Sequence, residues 1–325
     1  TLVSEGFKVM VELMNEARHA MSGLALGLSV AAYDAAKEYA KTRITMGKPI
    51  IQHPMVADML YEMEMEIQGM RALCVESARA FDWLRVAQGR NDVKAIKKWK
   101  KRYRRLTPLC KYYCSEKVIT ITRNAVQIFG GYGVCRDYPV ERFYREAIIY
   151  PIYEGTSQIQ SLMVLKDTLK DVANQATGFL GSLAGAWAES KVTRDPVKSA
   201  VLRARHQLNT GIKTILMSII RDKFKSDIES LREQKIQTFL KDFSFSLLSS
   251  KSDLTYPLLY AERFTRITCD YYALKTMADH HRSGDSESER EILNYADLVL
   301  PRMEMENRYM LKRPPSTLDW MKLNT

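Results

Sequence analysis

Glu154 stands in the run Tyr150, Pro151, Ile152, Tyr153, Glu154, Gly155, Thr156, a single carboxylate in an apolar frame. A carboxylate so placed, where an extended run turns into a helix, is a candidate general base. On residue types alone, a Glu before Gly-Thr is more often a helix-start carboxylate facing the positive end of the helix dipole. Thr156 and Gln158 then read as helix caps, or as hydroxyl, amide and backbone donors for an anionic ligand. Upstream, Gly130, Gly131 and Gly133 follow Gln127. Lacking a Cβ, such glycines close a helix or let backbone approach a ligand. Asn15 and Arg18 lie on one predicted helix, and Arg43 and Thr45 lie just past its end.

The elements that must position these groups are helical. Val56, Leu60, Met63, Ile67, Met70, Cys74, Ala78, Phe81 and Leu84 recur at steps of three and four, which predicts one helix from His53 to Gly89 with a single buried stripe. A first helix is predicted from Phe7 to Lys41, with Leu24, Leu26, Leu28, Val30 and Ala31 as contact residues. A third is predicted from beyond Pro108 to Gly130, and a fourth from near Gly155. Four long helices with short links predict an all-α fold, an antiparallel four-helix bundle over residues 1–175. Residues 176–325 read as a second helical domain. Its helices are placed around Ile212, Ile215, Leu216, Ile219 and Ile220, around Phe239, Leu240, Phe243 and Leu247, and over Tyr256 to His280 and Glu289 to Met310. No strict two-residue alternation with a hairpin turn competes with this pattern.

Composition bounds the function classes. The chain has 325 residues, 46% of them hydrophobic, enough for two cores. No uninterrupted apolar stretch approaches the roughly 18 residues of a membrane span, and the start does not resemble a secretory signal. Five cysteines without paired metal spacing suit a reducing, cytoplasmic compartment, and no metal site is expected. The net charge of +11 is concentrated in Lys94, Lys97, Lys98, Lys100, Lys101, Arg102, Arg104 and Arg105. This run reads as a solvated connection between helices, or else as a surface for nucleic acid, membrane or an acidic partner. Trp99 and Tyr103 within it can stack on bases or pin the segment to its domain.

Taken in order, Gln127, Gly130, Gly131 and Gly133, then Tyr138, Pro139, Val140 and Glu141, then Arg145, and finally Tyr153, Glu154, Gly155, Thr156 and Gln158 closely resemble the C-terminal part of the acyl-CoA dehydrogenase family. Asn15 to Arg18 resembles that family's Asp-x-x-Arg, and Arg43 to Gly47 its Arg-x-x-Phe-Gly. The match covers about residues 5 to 170 and is best with the large bacterial branch. It implies a flavoenzyme that forms an α,β double bond in an acyl-CoA thioester, with Glu154 as the α-proton base. Some branches place the base immediately before the arginine; here that position is Ala17, which cannot abstract a proton. The resemblance further implies FAD held by Arg43, Thr45, Gln127, Gly131, Thr156 and Gln158, and acyl-CoA met by Asn15, Arg18 and Gly155. It implies an electron-transferring flavoprotein as acceptor and a homo-oligomer in which some groups reach a neighbouring subunit's flavin. Two domains precede this part in the family, so the chain, which starts with Thr, is expected to be a C-terminal fragment with little activity alone. The alternative is a nucleic-acid-binding or assembly protein on the same scaffold.

Overall fold

A computed structural model describes residues 3–174, 176–226, 255–282 and 284–312, with positions 317, 320 and 323. The expected helix around Phe239 to Leu247 lies outside the described residues. Helices dominate: α1 (Val3–Thr42), α2 (Pro54–Gly89), α3 (Val93–Phe129), α4 (Pro139–Ala147), α5 (Ser157–Asn174), α6 (Ala176–Val192), α7 (Pro196–Ser226), α8 (Thr255–Leu259), α9 (Ala261–His280) and α10 (Ser286–Lys312). No described helix is long and apolar enough to cross a membrane. The fold is all-α, as the periodicity predicts. One two-residue ladder pairs Ile44–Thr45 with Lys48–Pro49 across Met46 and Gly47, both at positive φ. It is too short for alternation to register.

The largest departure from expectation is α3. It begins at Val93, capped by the Asp92 carboxylate accepting from the Ala95 amide at 3.0 Å, and carries Pro108 in its interior. Proline lacks the amide that continues the ladder, so its presence suggests a helix start. Here the Thr107 hydroxyl donates to the Tyr103 carbonyl at 2.9 Å and supports the turn before the proline. The basic run is therefore helix and not a connection. Tyr103 is buried, packs on Phe81 with centroids 5.1 Å apart and donates to the Asn15 carbonyl at 3.1 Å. Trp99 stacks on Trp83 at 6.0 Å. Of the cations, Arg102 pairs with buried Glu76 at 2.6 Å and Lys100 with Glu12 at 2.5 Å. The aromatics pin the helix to its neighbours, and nothing supports the nucleic-acid reading.

Contacts group the chain into two units, which differ from a single boundary near residue 175. The first comprises Thr1–Val164 and Tyr272–Leu298, the second Leu165–Tyr271 and Val299–Thr325. In the first, α3 runs antiparallel to α2, as the pairs Glu66 with Lys117, Glu76 with Arg102 and Trp83 with Trp99 show. It runs parallel to α1, with Glu12 near Lys100 and Tyr39 stacked on Phe129 at 4.0 Å. The α2 stripe is as predicted at Leu60, Met63, Ile67, Met70, Cys74 and Leu84. The buried face of α1 is not. Leu24 is 56% exposed and Ala31 exposed, whereas Ser22, Ala25, Ser29, Ala32, Ala36 and Ala40 are buried. Small residues let helices approach closely, and Leu24 turns outward. Cys74 lies 3.5 Å and 3.6 Å from the sulfurs of Cys110 and Cys114, so the fold gathers three buried thiols whose spacing in the chain did not pair them.

Residues 272–298 join this unit through Tyr295, whose hydroxyl lies 2.8 Å from that of Tyr113. Tyr113 in turn donates to buried Glu66 at 2.7 Å. In the second unit α6 packs on α7. Buried Glu306 accepts from Arg263 and Arg266 at 2.7 Å and 3.1 Å, Asp270 from Arg302, and the Met310 carbonyl from Tyr256 at 2.6 Å.

A Cβ at Gly69 would sit 2.7 Å from the Tyr295 hydroxyl and 2.9 Å from that of Tyr113. Both rings are buried, so Gly69→Ala should destabilise the chain by about 1–3 kcal/mol in urea unfolding. Lys100→Ala removes an ion pair whose partners are 59% and 60% exposed. It should change stability by less than about 1 kcal/mol.

Candidate active site

Glu154 does not follow an extended run. After α4 the chain makes successive turns, with amide-to-carbonyl bonds from Tyr150 to Ala147, Ile152 to Ile149 and Ser157 to Pro151 at 2.9–3.2 Å. They end in two residues at positive φ, Glu154 at 55° and Gly155 at 89°. A side chain at Gly155 would be strained, and its Cβ would lie 2.9 Å from Gln160 Nε2 and 3.4 Å from Arg18 Nη2. The left-handed backbone takes the Glu154 carbonyl inward. It accepts from Arg18 Nε at 2.9 Å and from Gln160 Nε2 at 3.2 Å, while the side chain stays half-buried.

Arg18 is 6% exposed, and its Nη1 donates to Asn15 Oδ1 at 3.0 Å. An aspartate at position 15 would neutralise that guanidinium; asparagine keeps the hydrogen bond and leaves the charge. Burial holds the arginine below its usual pKa, and Glu154 acts in the opposite sense. Asn15, Arg18, Glu154 and Gly155 are thus brought together from two ends of the first unit.

Three residues that sequence reasoning missed complete this neighbourhood. Lys111 of α3 is 1% exposed and donates to the Tyr150 carbonyl at 2.8 Å. Burial pulls it down to about 8, opposed by Glu116 and Glu154 and assisted by Arg18. Glu116 accepts from the Ser157 hydroxyl at 2.5 Å. Gln160 is fully buried, and its Oε1 has no partner among the described residues. A lysine within the apolar run Leu109, Cys110, Tyr112, Tyr113 was the available signal. Tyr153, pushed up to about 12 by burial, then by Tyr150 and Glu154, donates to Met21 Sδ at 2.6 Å.

A second site is a cleft of about 800 Å³ lined by Tyr39, Arg43, Thr45, Ile128, Phe129, Gly130, Gly131 and Tyr132, among others. The Ile50 amide bonds the Arg43 carbonyl at 2.8 Å, and Thr45 Oγ1 lies 3.1 Å from His53 Nε2, which holds the short ladder against α2. Arg43 Cζ stands 5.5 Å from the Tyr132 ring centroid. Gly130, at φ 62°, accommodates the sharp end of α3, and neither it nor Gly131 has an atom within 4 Å of an added Cβ. The result is an apolar, aromatic trough with an arginine on its wall, suited to a flat heterocycle bearing phosphate.

Not every expected residue joins these two groups. Gln127 is exposed and uses its carbonyl to accept from the Gly130 amide. Thr156 Oγ1 accepts from the Ile159 amide at 3.4 Å, a capping contact. Gln158 is exposed. None of the three lines the cleft.

Residues 4–169 match the sequence profile of the acyl-CoA dehydrogenase C-terminal domain. Cyclohexane-1-carbonyl-CoA dehydrogenase of Geobacter metallireducens is 32% identical over 170 residues, 52% of this chain and 40% of that protein. The 3-methylmercaptopropionyl-CoA dehydrogenase of Ruegeria pomeroyi is 30% identical over 233 residues, 67% of this chain and 39% of that one. The chain therefore spans about two fifths of the length of these relatives. The crystal structure of an acyl-CoA dehydrogenase complexed with FAD from Bacillus anthracis superposes with a TM-score of 0.71 over 97% of this chain and 52% of its own, a likeness of fold at 18% identity. By its sequence over half its length, with a fold to match, the chain belongs to the acyl-CoA dehydrogenase family.

Proposed function

We propose that this chain is the C-terminal part of a FAD-dependent acyl-CoA dehydrogenase, acting on acyl-CoA thioesters with Glu154 as the base. The observation that carries the reading is the turn itself. Its backbone carbonyl is committed to Arg18 and Gln160, so the residue that carries the candidate base sits on a fixed frame, its side chain half-buried. Dehydrogenation transfers the α-proton to Glu154 while the β-hydrogen leaves with its electron pair, and the carbon–carbon double bond forms between them. FAD, when bound, supplies the acceptor for that hydride.

The cleft fits part of such a cofactor. Arg43 and Thr45 would hold its phosphates, and the Gly130–Gly131 turn with Phe129 and Tyr132 would receive the adenosine end. Gln127, Thr156 and Gln158 are assigned to FAD by the resemblance of their motif. Asn15, Arg18 and Gly155 would border the acyl-CoA. Arg18, with its charge left uncancelled by Asn15, favours the negative charge that builds as the proton leaves.

Leu13, Leu24, Ile148, Ile149 and Ile152 are at least half exposed in the first unit. Apolar exposure beside the candidate base supports covering by domains that complete the acyl pocket, and the chain alone should turn over little. A homo-oligomer and an electron-transferring flavoprotein acceptor belong to the same proposal, supported by the family motifs. A cytoplasmic location is supported by cysteines that form no disulfide among the described residues.

In the complete enzyme, Glu154→Gln should retain FAD yet slow anaerobic bleaching by acyl-CoA about 10²- to 10⁴-fold. Bleaching at the wild-type rate would exclude Glu154 as the base. Arg43→Met should lose charge-assisted bonds worth about 1.5–3 kcal/mol. Flavin content after gel filtration should then fall at least tenfold on dilution, with the helical signal unchanged.

A further inference from the structure

Lys111 is a chemical anomaly. Lysine is almost never fully buried unless paired, and here its hydrogen bond runs to a neutral carbonyl, that of Tyr150, with the Tyr153 ring centroid 6.0 Å away. The groups that face it come from every neighbouring element. Arg18 lies on α1, Glu116 on its own helix, and Tyr150, Tyr153 and Glu154 on the turn. From α5, Ser157 is bonded to Glu116 and Gln160 to the turn's last two carbonyls.

Two buried cations therefore hold the turn by its backbone. Lys111 takes the carbonyl of residue 150 and Arg18 that of residue 154. Between them lies the stretch that aims the candidate base. We propose that Lys111 is a positioning residue for Glu154, its buried ammonium clamping the start of the turn through the Tyr150 carbonyl. The inference rests on the reading of Glu154 as base. It goes beyond that reading by assigning a second residue.

Burial brings Lys111 down to about 8, opposed by Glu116 and Glu154, so the ammonium persists at neutral pH. The sign for stability follows. Between about pH 8 and the usual lysine value the unfolded chain keeps a proton that the folded chain has released, so stability rises with pH across that window.

The first test needs no flavin. The urea midpoint of this chain minus that of Lys111→Gln, which keeps a donor for the Tyr150 carbonyl but carries no charge, should rise as pH passes above about 8. A difference that stays flat across that window overturns the buried ammonium on which the clamp rests. The second test uses the complete enzyme and flavin bleaching by acyl-CoA. Lys111→Met, which removes the donor to the Tyr150 carbonyl, should retain FAD and slow bleaching about 10- to 100-fold with little change in the half-saturating acyl-CoA concentration. Lys111→Gln, which restores a donor, should recover most of the rate. Bleaching at the wild-type rate in Lys111→Met overturns the proposal while leaving Glu154 as base; a wild-type enzyme that does not bleach overturns the function itself.

Discussion

A hydrogen bond joins Arg18 to the backbone carbonyl of Glu154 across 136 residues of chain, and the candidate active site depends on it. For the guanidinium to reach that carbonyl, α1 must lie alongside α3, and the turn after α4 must fold back over both. The small residues of α1 make this approach possible. Ala25, Ala32, Ala36 and Ala40 are fully buried, and with longer side chains at these points α1 would stand off from α3 and Arg18 would fall short.

The same contact explains the backbone at the site. A carbonyl drawn inward at Glu154 requires a left-handed conformation, which a non-glycine residue adopts at some cost. Gly155 continues it because no side chain fits between Gln160 and Arg18. The strain is over-determined by Arg18, Gln160 and the Ser157 amide bond to Pro151. The backbone of the site is therefore held in place, while the Glu154 side chain stays half-buried.

Charge is used in two ways in the first unit. Cations at the start of α3 mostly serve packing and exposed pairs, each worth little in water. Deeper in the unit, Glu66 and Glu76 of α2 and Lys111 of α3 are buried with specific partners, where losing one partner leaves an uncompensated charge. Pro108 lies within α3 without ending the helix. Because α3 runs on through it, Lys111 and Glu116 arrive beneath the turn in the register that the site needs.

Helical class, the α2 stripe and the motif around Glu154 were legible in the sequence, because each is a local matter of periodicity or of residue order within one short segment. The base candidate came from such order as well, whereas Arg18 was read only as a contact of acyl-CoA and its place beside Glu154 was not legible. The start of α3 was not legible, since proline is a breaker by local rules and only packing of its flanks on α1 and α2 outweighs that preference. Nor was the buried face of α1, where hydrophobicity pointed to leucines and close helix approach selected alanine and serine. Lys111, Glu116 and Gln160 have no mutual spacing in the chain. Only tertiary structure decides that they meet, because long-range burial removes a lysine from water and gives its charge a partner.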